Sequence, residues 1–262
     1  MTKLPGVYAH LLVFAVLAMF GSQIACAERL AIYGDVYPPF LLEQNGELTG
    51  PYAEAFAVLV KQQGIEVRYT ALPIKRVLQV VERQPNSCGL ALHFSPGLAE
   101  TLSFVGRVAP VTVSVFAKQG KVGQLNNIED IRRYSVGTID IAEVRDLLDI
   151  AGINYEPLNQ ASRGLSMLVA NRFDLLLSDT LPEFATTEAS NVTRVFTLAR
   201  FERWVACNNQ TDPAVANKLR KALAERLFAE SLRSIWKRYG LEDYFDDVRQ
   251  KWEAIPRPKV KK

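Results

Sequence analysis

The chain has few of the residues that most often carry catalysis or bind metals. It contains only 2 histidines and 3 cysteines in 262 residues. His10 lies in the N-terminal apolar segment, which leaves His93 as the histidine of the mature chain. No stretch matches a Gly-rich phosphate loop, a GxSxG turn or the ligand spacing of a zinc site. The sequence therefore predicts a protein that is not an enzyme, with no cofactor and no metal.

An excess of charge of one sign is also missing. The sequence carries 31 Lys and Arg against 28 Asp and Glu. Loss of Lys3 with an N-terminal leader leaves 30 against 28, a net charge of +2. This near balance argues against a nucleic-acid partner. The basic tail at 251–262 is short, and we interpret it as a solvated end.

Long apolar runs are absent beyond residue 20. Residues 1–27 have the parts of a secretory signal: Lys3, an apolar core at 11–20 and a small-x-small site ending at Ala27. The core is too short to span a bilayer. We therefore predict cleavage after Ala27, a periplasmic location and no membrane insertion of the mature chain. Lipidation at Cys26 is the alternative, disfavoured because Gln23 stands where an aliphatic residue is expected.

Two cysteines remain after the predicted cleavage, Cys88 and Cys207. An even number of cysteines in an exported chain predicts a disulfide, because the compartment is oxidising. Two buried free thiols are the alternative.

Apolar or alternating stretches that predict strands are interleaved with stretches of helical period. The predicted strands are 30–33, 66–72, 88–94, 111–118, 134–139, 175–178 and 203–207. The predicted helices are 52–63, 74–82, 127–133, 141–151, 162–170, 213–227 and 229–239. This order predicts an α/β fold with mostly parallel sheets covered by helices.

The pattern divides into two α/β lobes between which the chain crosses twice, near 107–110 and 201–204. The first lobe would contain residues 28–109, and the second lobe residues 110–202. Residues 203–250 would return to the hinge and to the first lobe.

An aromatic loop follows the first predicted strand. Tyr37 and Phe40 flank two prolines, a hairpin is predicted at 44–47, and Tyr52 opens the next helix. A stiffened aromatic loop at the end of a strand is typical of a small-molecule pocket, and packing beneath the loop is the alternative.

Several short motifs occur in the order found in one known family. They are Tyr-Pro-Pro-Phe at 37–40, Leu-Thr-Gly-Pro-Tyr at 48–52, Asn-Ile-Glu-Asp-Ile at 127–131, Asn-Arg-Phe-Asp at 171–174 and Ile-Trp-Lys-Arg-Tyr-Gly at 235–240. Together they resemble the polar-amino-acid type of periplasmic solute-binding proteins, extracellular family 3. The resemblance implies a two-lobed, type 2 binding protein with two chain crossovers at the hinge, closing on a small polar solute. It also implies a monomer that serves an ABC permease or a sensor partner.

The sequence departs from this family where the family grips an α-carboxylate. Leu98 stands where amino-acid binders place an arginine, and leucine cannot form the bidentate pair. The second-lobe loop at 138–143 adds the acids Asp140 and Glu143. Asp179 matches the family's ammonium-binding acid. These departures predict an acidic cleft that favours a cationic or neutral ligand.

Eight residues are therefore candidates for ligand binding: Tyr37, Phe40, Tyr52, Arg76, His93, Ser95, Asp140 and Asp179. Structural roles compete for several of them: Arg76 as a solvated side chain, His93 as a core residue, and Ser95 and Asp140 as local caps. The predicted function is solute binding. Its alternatives are a dehydratase of the cyclohexadienyl type on the same scaffold, or a diverged protein that acts through protein contacts.

Overall fold

The computed structural model describes residues 28–158, 163–179, 191–224 and 226–253. The predicted signal segment, the start of the predicted helix 162–170 and most of the basic tail lie outside these residues. Among the helices of the described residues, none combines the length and apolar character that a membrane crossing requires.

Ten strands of the described chain form an eight-stranded mixed sheet and a small hairpin. The strands are β1 Glu28–Gly34, β2 Leu42–Gln44, β3 Glu47–Thr49, β4 Ile65–Ala71, β5 Ser87–His93, β6 Leu102–Lys118, β7 Val136–Ile139, β8 Glu156–Leu158, β9 Leu175–Asp179 and β10 Val192–Asn208. The α-helices are α1 Pro51–Lys61, α2 Ile74–Arg83, α3 Pro96–Thr101, α4 Ala142–Ile150, α5 Gly164–Val169, α6 Pro213–Ala224, α7 Arg233–Arg238 and α8 Glu242–Glu253. Short 3-10 turns occupy Glu129–Arg133 and Glu230–Leu232.

The large sheet consists of two parallel groups separated by two antiparallel strands. Its order is β4-β1-β5-β10-β6-β9-β7-β8. Strand β1 is parallel to β4 and β5, and β7 is parallel to β8 and β9. Strands β6 and β10 pair antiparallel with each other between the two groups. The predicted α/β class is confirmed.

The two central strands are longer than the sequence indicated. Strands were expected at 111–118 and 203–207, but β6 and β10 each have 17 residues. Pro110 lacks an amide N–H and reads as a break, yet it lies within β6 opposite Glu202 of β10. Each strand is about 55 Å long at about 3.3 Å per residue. The chain therefore passes between the parallel groups as continuous strand.

Local sequence accounts for the elements that lead to the cleft. The predicted hairpin is confirmed, with β2 paired to β3 across Asn45 and Gly46. Both residues have positive φ, 55° and 80°, as a type I′ turn requires. Helix α1 begins at Pro51, which needs no intrahelical N–H partner, with Glu54 in its first turn and Lys61 in its last.

Two main hydrophobic clusters lie on either side of the sheet centre. The first core gathers residues of β1, β5, α1, α6, α7 and α8 and includes Phe40, Tyr52, Phe228, Trp236, Phe245 and Trp252. The second core gathers residues of β7, β9, α4 and the far half of β6, among them Val113, Val144, Leu148 and Leu177. The predicted disulfide is confirmed: Cys88 of β5 is bonded to Cys207 of β10, 119 residues away.

Helix α8 was not anticipated. The last predicted helix, 229–239, is instead a 3-10 turn followed by the short α7, and Gly240 with φ 67° ends it. Phe245, Val248 and Trp252 are buried, at intervals of three and four residues. This spacing is a helical signal that the many charges of the segment obscured.

Candidate functional site

A cavity of about 210 Å³ lies where the carboxyl ends of both parallel groups meet. Residues that follow β1 and β4 and the last residues of β5 form one side, and residues at or just after the ends of β7 and β8 form the other. The polar and charged residues of the lining are Asp35, Tyr37, Lys75, His93, Asp140 and Arg203. Open α/β sheets place ligands in this position, outside the carboxyl ends of the strands.

The Tyr37 ring is positioned by a closed turn. The Tyr37 N–H donates to the Leu41 carbonyl at 2.8 Å, and the Leu41 N–H donates back at 2.9 Å. The Phe40 side chain is 1 % exposed and anchors the turn in the first core. The rings of Tyr37 and Phe40 lie 5.4 Å apart, so the aromatic wall of the cavity rests on packed interior.

Tyr37, Asp179 and Arg203 form a buried network beside the cavity. Arg203 donates through Nη2 to Asp179 Oδ2 at 2.6 Å and through Nη1 to the Ala91 carbonyl at 3.0 Å. The Tyr37 hydroxyl donates to the same Asp179 oxygen. The Arg203 guanidinium also lies 3.7 Å from the centroid of the Tyr37 ring. Asp179, the predicted ammonium site, is therefore already paired with a cation of its own chain.

Burial and this network shift the ionisation of the two partners of Asp179. Burial raises the pKa of Tyr37 well above its usual range, and the nearby Asp179 carboxylate raises it further. Burial opposes the charge of Arg203, but Tyr37 and Asp179 outweigh it, so the pKa of Arg203 is raised. Tyr37 is therefore a neutral donor and Arg203 a permanent cation at neutral pH.

His93 ends β5 and lies opposite Arg203 in the β5–β10 register. Burial holds the pKa of His93 well below its usual range, and Arg203 adds to the effect. Its Nδ1 is buried with no hydrogen-bond partner in the described structure. His93 is thus a neutral imidazole with unused hydrogen-bonding capacity at the edge of the cavity.

Three further charged residues line the cavity. Asp140 lies with Oδ1 3.3 Å from Nη1 of Arg145. The two atoms are not in hydrogen-bond geometry, so Asp140 Oδ1 has no hydrogen-bond partner in the described structure and can still accept one. Burial raises the pKa of Asp35, which accepts from the Val36 N–H at 2.9 Å. With Lys75 and Arg203, the lining carries two acids and two cations.

Asp140 does not cap α4. The helix begins at Ala142, with Ile141 at the cap and no side-chain capping bond. The side chain of Glu143, the other acid expected here, lies outside the described structure.

Phe40 and Tyr52 belong to the aromatic interior of the first core. Each is 1 % exposed, and their rings stack at 5.0 Å. The Tyr52 hydroxyl lies 3.2 Å from the Tyr244 hydroxyl. Neither residue lines the 210 Å³ cavity, although both border the larger cavity described below. A ligand-binding role for the two rings stays a prediction.

The structure does not bring Arg76 and Ser95 to the cavity lining. Arg76 is exposed on α2, where it donates to Gln79 Oε1 at 3.4 Å. Ser95 Oγ accepts from the Leu98 N–H at 3.2 Å and caps α3. Leu98 packs against a small apolar cluster of α2 and β5. Arg76 is therefore a solvated side chain and Ser95 a helix cap, the structural alternatives given for them from the sequence.

Arg203 is the site residue that sequence reasoning missed. It opens the apolar stretch Trp204–Cys207 and was assigned only to a strand. A charge at the edge of an apolar strand is a weak signal, and its partner Asp179 lies 24 residues away with no motif between them. Only the pairing of β10 with β5 and β6 brings Arg203 to the cleft.

A second and larger cavity, about 1240 Å³, also borders this network. It is lined by Asp179, by residues of β10 such as Thr197 and Arg200, and by the α8 residue Tyr244. Tyr37 lines both cavities, Arg203 the smaller and Asp179 the larger, so the Tyr37–Asp179–Arg203 network is in contact with both.

The fold is that of the two-lobed periplasmic binding proteins. A histidine kinase sensor domain with similarity to periplasmic binding proteins matches with a TM-score of 0.67 at 18% identity, over 88% of this chain and 98% of the other. An ancestral arginine-binding protein bound to arginine matches with a TM-score of 0.66 at 17% identity, over 86% and 97%. The GluR0 ligand-binding core from Nostoc punctiforme, in complex with L-glutamate, matches with a TM-score of 0.66 at 16% identity, over 85% and 98%.

At the level of sequence, no protein-family model and no curated protein matches this chain. The likeness to these structures is therefore one of fold. Membership of the polar-amino-acid family, suggested by the ordered motifs, stays a prediction.

Proposed function

We propose that this protein binds a small polar solute in the 210 Å³ cavity, between two lobes that close on it. The observation that carries the proposal is the composition of the cavity wall. Strand ends from both parallel groups contribute to it, which is where α/β folds hold ligands. The structures of the same fold that are bound to arginine and to L-glutamate support a small polar solute.

The charges of the lining favour a zwitterionic or neutral solute over a simple cation. Asp179 is paired with Arg203, so among the expected second-lobe acids whose side chains the structure describes, Asp140 is the one that lines the cavity. Lys75 and Asp35 stand on the first-lobe side. A solute with both an anionic and a cationic group would find a partner for each.

We further propose that binding, without catalysis, is the role of the protein after its export to the periplasm. The closed monomer would deliver its solute to an ABC permease or report it to a sensor partner. The sensor domain of the same fold supports the second possibility. A dehydratase on this scaffold has less support, because the neighbour described as a precursor of cyclohexadienyl dehydratase is itself an amino-acid-binding protein.

Native mass spectrometry of protein purified without denaturation tests the proposal directly. We expect a bound small molecule, and we expect zwitterions and neutral polar solutes to raise the Tm more than monoamines do. Asp140→Asn and Lys75→Ala should each weaken binding about tenfold. Glu129→Gln, an exposed acid remote from the cavity lining, is the matched control. Absence of any bound or stabilising solute across a broad panel would overturn the proposal.

A further inference from the structure

The Arg203 guanidinium occupies a site with the three kinds of partner that bind a free guanidinium ion. A carboxylate oxygen of Asp179 lies 2.6 Å from Nη2, and the Ala91 carbonyl lies 3.0 Å from Nη1. The face of the Tyr37 ring covers the group at 3.7 Å. Arg203 is 8 % exposed and Asp179 is 3 % exposed. Charge, hydrogen bonds and ring face together define a desolvated cation site.

The partners come from different parts of the fold. Tyr37 follows β1 and Ala91 lies in β5, so both stand on the side of the first core. Asp179 ends β9, beside the second core. Arg203 reaches them from β10, which runs through both halves of the sheet. The guanidinium therefore joins the two walls of the cleft.

The pairing of Arg203 with Asp179 uses only part of the capacity of each group. Asp179 Oδ2 accepts from both Tyr37 and Arg203, whereas Asp179 Oδ1 has no hydrogen-bond partner in the described structure. The Nε of Arg203 likewise has none. Arginine and a carboxylate pair most strongly when two parallel N–H groups meet both oxygens. Strand β10 fixes the approach of Arg203, and a guanidinium free of the chain would be able to turn into that geometry.

We propose that Arg203 is a tethered ligand, whose guanidinium fills a subsite for alkylguanidinium ions built by Tyr37, Asp179 and the Ala91 carbonyl. While Arg203 fills this subsite, free cationic solutes are excluded from Asp179. Arg203 fills this subsite whichever solute occupies the 210 Å³ cavity. Shortening Arg203 should therefore convert the protein into a binder of guanidinium compounds.

Chemical rescue of Arg203→Ala tests the proposal. The substitution removes the side chain beyond Cβ, and ethylguanidinium has the composition of the deleted group. We expect the variant to bind ethylguanidinium in the millimolar range by isothermal titration and to gain Tm as the ion is added. The wild-type protein, whose subsite is filled, should show neither response. Equal concentrations of sodium chloride control for ionic strength.

Two further variants decide whether the rescue occurs at this site. Asp179→Asn combined with Arg203→Ala should bind ethylguanidinium at least about tenfold more weakly, because a charge-assisted partner is lost. Arg200→Ala removes the same group from an exposed position of the same strand and should show no rescue. Binding that is equal in the single and double variants would overturn the proposal.

The proposal stays testable if Arg203→Ala is unfolded when purified. The far-UV circular dichroism of the variant should then recover when ethylguanidinium is added, since the ion binds only the folded chain. Arg203→Ser keeps one heavy atom beyond Cβ, and methylguanidinium matches the remainder of the deleted group, so this pair provides a second background for the titration. If neither variant responds to its matched ion in binding, Tm or refolding, Arg203 is not a tethered ligand. The search for a solute in the neighbouring cavity would be unaffected by that result.

Discussion

The two cores of this protein are filled by different means, although each half of the sheet has the same parallel plan. The first core contains stacked aromatic rings: Phe228 lies 4.3 Å from Trp236, and Phe40 lies 5.0 Å from Tyr52. The buried members of the second core are all aliphatic. The first half is also fastened by the disulfide between β5 and β10.

The difference between an aromatic and an aliphatic core also distinguishes the two walls of the cleft. The first wall carries Tyr37 on a turn whose neighbour Phe40 is locked into aromatic interior. The second wall presents Asp140 and Asp179 at strand ends beside a core whose buried members are aliphatic, with aromatic rings such as Phe196 and Phe201 only partly buried at its edge. Large rings bury more apolar surface per residue than valine or leucine. The first wall therefore rests on packed aromatic rings and the second on a core whose buried members are aliphatic, while charged residues line both walls.

Trp236→Ala should produce the largest loss of stability, because it removes the ring at the centre of the aromatic core. Trp236 is fully buried, and its Nε1 donates to the Leu227 carbonyl at 3.0 Å. We expect a loss of about 3–5 kcal/mol in the free energy of unfolding. Leu148→Ala, the matched deletion in the second core, should cost less within its range of about 2–5 kcal/mol. Urea unfolding of both variants measures the difference, and a larger loss for Leu148→Ala would contradict the comparison.

Replacing both Cys88 and Cys207 by serine removes the disulfide bond of the first half. The closed loop spans 119 residues, and loss of a native bridge typically costs about 2–5 kcal/mol. We expect amides of β5 to lose hydrogen-exchange protection earlier than amides of β7. Reduction of the wild-type protein should reproduce the result, whereas uniform loss of protection in both halves would argue against a local role.

The stability of the protein should depend on His93 in mildly acidic solution. Because burial lowers its folded-state pKa, the unfolded chain binds a proton below about pH 6.5 that the folded chain does not. Stability is therefore complete above that pH and falls as the pH decreases, by at most about 1.4 kcal/mol per pH unit. His93→Gln should lose this slope between about pH 6.5 and 5. Identical pH profiles for the two proteins would refute the assignment.

Asp140→Asn should have the smallest effect on stability. Its partner Arg145 is 45% exposed at the side chain, and pairs of this kind are worth about 0–1 kcal/mol. The same substitution should weaken solute binding. A loss of affinity without a loss of stability would show that the Asp140 charge contributes to binding and not to folding. Chemical unfolding and solute titration of one preparation measure both quantities, with Arg145→Gln as the control.

The fold was largely accessible from the sequence because its elements carry local signals. Buried strands such as β9 appear as short apolar runs, and Gly46 marks the hairpin. The length of β6 was not accessible, since Pro110 reads as a break and only its partner strand shows otherwise. Helix α8 was missed because charged residues separate its apolar positions.

The candidate site was less accessible, because its residues meet through tertiary pairing. Tyr37 and Asp179 were identified as neighbours of strand ends, which is a local property. Whether Phe40 faces the ligand or the core depends on which way one turn is packed, and the sequence leaves this open. Arg203 acquires its role only from the register of β10 against β5.

The long strands β6 and β10 have a mechanical consequence. Because they are paired along most of their length, the two halves of the protein are connected by a continuous twisted ribbon and not by flexible loops. The opening and closing of the cleft proposed above would then change the twist of this ribbon. The register of β10 against β6 shifts between Arg203 and Trp204, so winding at that point would turn the guanidinium away from Asp179. The angle between the two halves and the orientation of the Arg203 side chain would then change together.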